Sequence, residues 1–150
     1  MNTPGCIPYQ ELHISLFCLD NGCEQGFSSG GHVSSRWPPP VALAASGTAT
    51  FYTPPYVPSA CYGFQNRGVM IAAASDAIWD NRAACGRRYR VTCRGPTNQG
   101  VLQPCTGRSV DVTIVDYCPA GCQGTIDLSQ EAFAAIANPD AGKILIDYTR

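Results

Sequence analysis

Apolar and polar positions alternate with a period of two in three stretches of the chain: Tyr89, Val91 and Cys93; Val110, Val112 and Ile114; Ile144, Ile146 and Tyr148. Successive side chains of a strand point to opposite sides of the pleat, so this period marks a strand with one buried face. With the β-prone run from Thr48 to Tyr52 these stretches predict four strands, and one or two more between them. A helix is predicted over residues 130–137, where Ser129 can cap the first amides, Phe133, Ile136 and Ala137 share a face, and Asn138-Pro139 ends the run. The alanine-rich residues 69–79 read as a second helix leading to Trp79, a core residue, with a turn at Asp80-Asn81. Residues 1–46 hold five prolines and no sustained period, and read as an irregular head before a β-rich domain over residues 47–150.

Composition narrows the class. A chain of 150 residues accommodates one domain, and 14% charged residues with a formal charge of −1 leave no global field to attract nucleic acid or an anionic membrane. No stretch approaches the roughly 18 to 20 apolar residues of a membrane helix, so a soluble protein without membrane insertion is expected. Electrostatic recognition must be local, and Arg82, Arg87, Arg88, Arg90 and Arg94 are its strongest candidates. Their guanidinium groups suit an acidic polymer or an acidic protein face, and equally suit a solvated strand edge.

Nine cysteines are heavy usage, and six of them lie between Cys61 and Cys122. The only histidines, His13 and His32, lie in the head, so disulfides and an oxidising compartment are a better reading than metal ligation. Six cysteines allow fifteen pairings, which spacing does not decide. Cys6, Cys18 and Cys23 form an odd set, so at least one is unpaired within the head. The N-terminus shows no evident export signal: Leu16 to Leu19 are followed by Asp20 and Glu24, and Pro38-Pro39-Pro40 stands where an apolar segment would precede the small residues Ala42 to Ser46. Residues 1–46 are therefore expected to be an atypical start joined to an ordinary mature domain.

The segments Gly47-Thr-Ala-Thr-Phe-Tyr, Pro58-Ser-Ala-Cys-Tyr-Gly, Ile78-Trp-Asp-Asn, Ala84-Cys-Gly-Arg-Arg-Tyr-Arg-Val-Thr-Cys, Cys105-Thr-Gly-Arg-Ser-Val-Asp-Val, Val115-Asp-Tyr-Cys and Ile126-Asp-Leu-Ser-Gln-Glu-Ala-Phe occur in order across residues 47–150. Together they resemble the plant natriuretic peptides, which carry an expansin-like first domain related to family-45 endoglucanases and barwin. The resemblance implies an all-β, six-stranded double-psi β-barrel with one or two short helices, bridged Cys61 to Cys85, Cys93 to Cys105 and Cys118 to Cys122. It implies secretion to the wall space of plants and a non-enzymatic role in water and ion homeostasis through a cell-surface receptor kinase and cyclic GMP. The partner would be that receptor, wall polysaccharide, or both, and the protein a monomer without cofactor, metal or nucleic acid.

The same resemblance places chemistry on particular residues. Asp127 matches the endoglucanase acid, Asp116 a second acidic position of expansins, and Thr50 and Tyr52 a groove-lining pair on the first strand. Glycosidases of this kind use two carboxylates, and where the endoglucanases carry their base two residues after that tyrosine this chain has Pro54, which cannot accept a proton. Asp127 and Asp116 are thus vestigial catalytic candidates, with helix capping for Asp127 and a strand-to-loop hydrogen bond for Asp116 as structural alternatives. Tyr56, Tyr62 and Phe64, in a proline-rich stretch, could stack on sugars or anchor a receptor, with Arg87, Arg88 and Arg90 as further contacts. Asp111, alternating with core valines, is expected to be solvated. The alternatives to signalling are an expansin-like module that binds or loosens wall polysaccharide and a glycan-cleaving enzyme using Asp127. Expansins add a second domain with an aromatic platform, absent before the end at Arg150, so tight polysaccharide binding is the weaker expectation.

Overall fold

The computed structural model describes residues 43–98 and 100–150. Six strands close into a barrel: β1 (Ala45–Tyr52), β2 (Ile71–Ala74), β3 (Arg88–Pro96), β4 (Ser109–Tyr117), β5 (Ile126–Ser129) and β6 (Ile144–Thr149), in the spatial order β1-β5-β2-β4-β3-β6. The pairs β1/β5 and β2/β4 are parallel, and the rest are antiparallel. The interior is filled by alternate residues, among them Ala49, Ala72, Val91, Val112, Ile114, Leu128 and Ile146, all buried. Two helices, α1 (Asp76–Trp79) and α2 (Gln130–Ile136), complete the fold. Ser129 Oγ accepts from Ala132 N at 3.1 Å, which starts α2 where the sequence places it, and Phe133 reaches the core against Phe51 at 4.9 Å between ring centroids.

Residues 69–79 do not form the expected helix. Residues 71–74 are strand β2, and only four residues after Ser75 are helical. All four residues of β2 are buried, so it shows no alternation, and a short apolar run buried on both sides carries the same pattern in a strand as in a helix. Ala72 and Ala74 belong to the core cluster, while Ile71 and Val115 are buried outside it, and the long β1–β2 connection bonds to β4 through Cys61 N and Val115 O at 3.0 Å. Trp79 is partly buried, packed on the core and on Tyr117 with centroids 4.9 Å apart. The turn at Asp80-Asn81 takes left-handed backbone at Asp80, Asn81 and Arg82.

Strand β1 begins at Ala45, two residues ahead of the boundary read from the sequence, with Ala45 opposite Tyr148 and Ser46 opposite Asp147. Gly47 is required there, because a Cβ would lie 2.5 Å from Thr125 Oγ1. The disulfides join Cys61 to Cys85, Cys93 to Cys105 and Cys118 to Cys122, closing separations of 24, 12 and 4 residues. The expectations for Cys6, Cys18, Cys23, His13 and His32 lie outside the described residues. Among the described residues no helix is long and apolar enough to cross a membrane.

Candidate functional site

Strand register builds the site. In the parallel pair β1/β5, Thr50 lies opposite Asp127 and Tyr52 opposite Ser129. Ala73 of β2 pairs with Asp127 on one side and with Asp116 of β4 on the other. Laterally paired residues share a face, so Thr50, Asp127, Ala73 and Asp116 form one row across four strands. Two strand spacings place the Asp127 and Asp116 backbones about 9 to 10 Å apart. Ala73 lies between them and is itself buried.

Thr50 Oγ1 donates to Asp127 Oδ1 at 2.7 Å, and the Cys118 sulfur lies 3.9 Å from Oδ2. Burial pushes the Asp127 carboxyl above the ordinary carboxylate range, against the opposing pull of the Thr50 hydrogen bond. Asp127 does not cap α2; Ser129 does. Asp116 Oδ1 accepts from Ala60 N and from Tyr117 N, each at 2.8 Å, so this carboxylate ties the β1–β2 connection to the end of β4.

Tyr52 stands beside this row. Its hydroxyl is enclosed and has no hydrogen-bond partner among the described residues. Burial first, then the charges of Asp116 and Asp127, with smaller effects of Tyr56 and Glu131, raise its pKa far above that of a free phenol. The Tyr56 ring meets Tyr52 edge-on at 5.2 Å, and its hydroxyl donates to Glu131 Oε2 at 2.6 Å. Burial and that bond push Tyr56 up to about 12. Glu131 was not singled out in the sequence; as the second residue of a capped helix, its position in the first turn was the available signal.

An open cleft of about 320 Å³ lies between the start of α1 and the Cys118–Cys122 loop, lined by Thr48, Asp76, Gln123 and Thr125 among others. Thr48, Thr50 and Tyr52 alternate on one face of β1 over about 13 Å, so this strand joins the cleft at Thr48, the row at Thr50 and the Tyr56 ring beside Tyr52. Asp76 lines the cleft itself, while Asp127, Asp116 and Glu131 are partly buried beside Thr50 and Tyr52; cleft and row together are the candidate groove.

The other expected contacts lie elsewhere. Tyr62 packs over Gly86, where an added Cβ would be 2.8 Å from its hydroxyl, and Arg67 stacks 4.2 Å above its ring. The arginines do not form one patch: Arg87 pairs with Asp80 at 2.7 Å, Arg94 with Asp147 at 3.0 Å and Arg90 with Asp111 at 3.7 Å, while Arg82 donates to Ala60 O at 2.8 Å. Arg88 is exposed and has no ion pair among the described residues. Pro54 is exposed and provides no carboxylate, and no cluster of described residues could hold a metal ion.

A closed six-stranded barrel with crossed parallel pairs, three disulfides and this row of Thr50, Asp127 and Asp116 defines an expansin-like double-psi β-barrel. The family model described as "Lytic transglycolase" matches residues 71–148. An EG45-like domain containing protein of Citrus jambhiri is 69% identical over 110 residues, covering 73% of this chain and 84% of that protein. EG45-like domain containing protein 2 of Arabidopsis thaliana is 50% identical over 110 residues, covering 73% and 83%. An expansin of Clavibacter michiganensis, solved as a variant in complex with cellohexaose, superposes with a TM-score of 0.53 at 29% identity, covering 72% of this chain and 50% of that one. The chain belongs to the EG45-like domain family, the plant natriuretic peptide-like branch of the expansin-related barrels.

Proposed function

We propose that the chain is a secreted, non-hydrolytic protein of the plant wall space whose groove holds a segment of polysaccharide. The observation that carries this reading is the row Thr50–Asp127–Ala73–Asp116 together with the open cleft lined by Thr48 on the same face of β1. The expansin solved with cellohexaose supports a glycan as the ligand class. Disulfide usage and the plant relatives support the extracellular address. Against hydrolysis stands the pairing chemistry: Asp127 could protonate a leaving oxygen, but Asp116 and Glu131 already accept protein hydrogen bonds and Pro54 offers no base. Pull-down on cellulose and pectin tests binding, with Asp127→Asn and Tyr52→Ala as groove variants; release of reducing ends or anhydro-sugars from either polymer, lost in Asp127→Asn, would restore the enzyme reading.

A second reading, signalling in water and ion homeostasis through a receptor kinase and cyclic GMP, is favoured by the β1–β2 connection. Phe64 is 82% exposed there, on a loop held by the Cys61–Cys85 bridge and the Ser59–Gly63 pairing. A rigid loop presenting an aromatic side chain binds with little ordering cost. Purified protein applied to protoplasts would raise cyclic GMP and cause swelling, and Phe64→Ala would abolish both while leaving glycan binding intact; no response at high dose refutes it.

A further inference from the structure

Apart from Tyr52, whose enclosed hydroxyl keeps its proton, and Thr125, the hydroxyls along the groove have given their protons to protein acceptors. Thr50 donates to Asp127 at 2.7 Å, Tyr56 to Glu131 at 2.6 Å, and Tyr117 to Asp76. In the cleft, Ser75 Oγ donates to Thr125 O at 2.8 Å and Thr48 Oγ1 to Gln123 O at 3.3 Å. A hydroxyl that has donated its proton can present only lone pairs to a ligand, and an ionised carboxylate presents nothing else. Among the cleft's side chains, only Gln123 and Thr125 keep a proton to offer.

Charge distribution is a second and independent observation. Asp76 stands at the cleft, Asp127 and Asp116 in the row, and Glu131 at the far end, while three arginines form ion pairs with Asp80, Asp111 and Asp147 instead. The cation nearest in connectivity is Arg82, which is turned to the Ala60 carbonyl. Tyr52 registers the shared field, since Asp116, Asp127 and Glu131 all disfavour its ionisation.

We propose that the groove selects a glycan chain rich in hydrogen-bond donors and positive charge, an amino-sugar polymer with free amines, and turns away polyuronates. This rests on the glycan-groove reading. A sugar ammonium brings three protons and no lone pair, complementing a surface of acceptors, whereas a uronate adds acceptors and negative charge to it. A single pair of unit charges about 6 Å apart in a water-like medium changes affinity about threefold, so two or three such pairs give about tenfold.

Titration calorimetry with three probes, a glucosamine hexamer, cellohexaose and a galacturonate hexamer, at about pH 5.5 where ordinary carboxylates are ionised, reads the preference. The amino hexamer is expected to bind about tenfold tighter than cellohexaose and the uronate about tenfold weaker, with both gaps closing at high salt. Asp116→Asn/Glu131→Gln, and separately Asp76→Asn, should each narrow the ratio by about threefold per charge removed, while Asp140→Asn, remote from the groove, leaves it unchanged. Uronate binding as tight as cellohexaose overturns the charge preference alone, as does an amino hexamer no tighter than cellohexaose. If none of the three binds, the groove reading falls and takes the preference with it.

Discussion

Gly124 is the most sensitive point of the groove, because it lies buried where β1 and β5 approach each other. A Cβ added there would stand 2.8 Å from Thr50 Oγ1, 2.9 Å from Ile126 O and 3.0 Å from Thr50 N. Two of these three atoms are backbone, so no rotamer change relieves the clash; the strands must separate, and the 2.7 Å bond from Thr50 to Asp127 is stretched with them. Overpacking of this kind costs about 1 to 3 kcal/mol. For a domain of this size that lowers the midpoint by about 5 to 15 °C. Gly95→Ala is the control: nothing lies within 4 Å of its added Cβ and its φ is not positive, so it should be neutral or stabilise by about 0.4 to 1 kcal/mol. Thermal melts followed by circular dichroism, with cellohexaose binding on the same samples, measure both. In a Thr50→Ala background most of the Gly124→Ala loss should persist, because the backbone contacts remain. A Gly124→Ala protein that melts within a degree or two of the parent and binds as well refutes the reasoning.

Other outcomes follow from the same contacts. Asp127→Asn keeps an oxygen for Thr50 and removes a charge that burial disfavours, so it should raise the melting midpoint at neutral pH. The sign is set by the raised folded pKa: the native protein loses stability as pH climbs from the unfolded value of about 3.9 through the folded one, so the gain should vanish in acid; a midpoint unchanged at pH 7 contradicts it. Loop closure ranks the disulfides: replacing Cys93 and Cys105 by serine, 12 residues apart, removes about 3 kcal/mol, and replacing Cys118 and Cys122, 4 apart, about 2 kcal/mol. Denaturant midpoints in the reverse order would show that strain or unfolded-state structure outweighs loop length. The extracellular form should begin at or before Ala45, because later cleavage removes the pairing of Ala45 with Tyr148; mass spectrometry reads the terminus, and an intact Met1 outside the cell contradicts processing.

Strands β3, β4 and β6 were legible because one face of each meets the core and the other meets water, which writes a period of two into Tyr89, Val91 and Cys93 and their counterparts. Strand β2 was not, since all four of its residues are buried and no alternation is written into it. The capped helix α2 was legible from Ser129 and Phe133 alone. Thr50, Tyr52, Asp116 and Asp127 were named through family resemblance; their meeting depends on register between β1, β5, β2 and β4, up to 77 residues apart in sequence, which no local pattern encodes. The arginines ran the other way: close in sequence, they alternate along β3 or sit on turns and find separate acidic partners.

The contrast between these arginines and Asp127 bears on what the groove is for. A half-buried carboxylate is ordinarily neutralised by a cation, and this barrel directs three guanidinium groups to acids at or near its surface. Asp127 instead receives one neutral hydroxyl, and burial raises its pKa despite that bond. A fold optimised for stability alone would place an asparagine there, at no loss of the Thr50 bond. The carboxyl is kept at a cost, in a row whose neighbouring acids are fixed by amides and a phenol rather than by counter-charges. On the glycan proposal the uncompensated Asp127 is the group a ligand's donors would meet, and the amide and hydroxyl bonds that fix Asp116 and Glu131 would define where those donors lie.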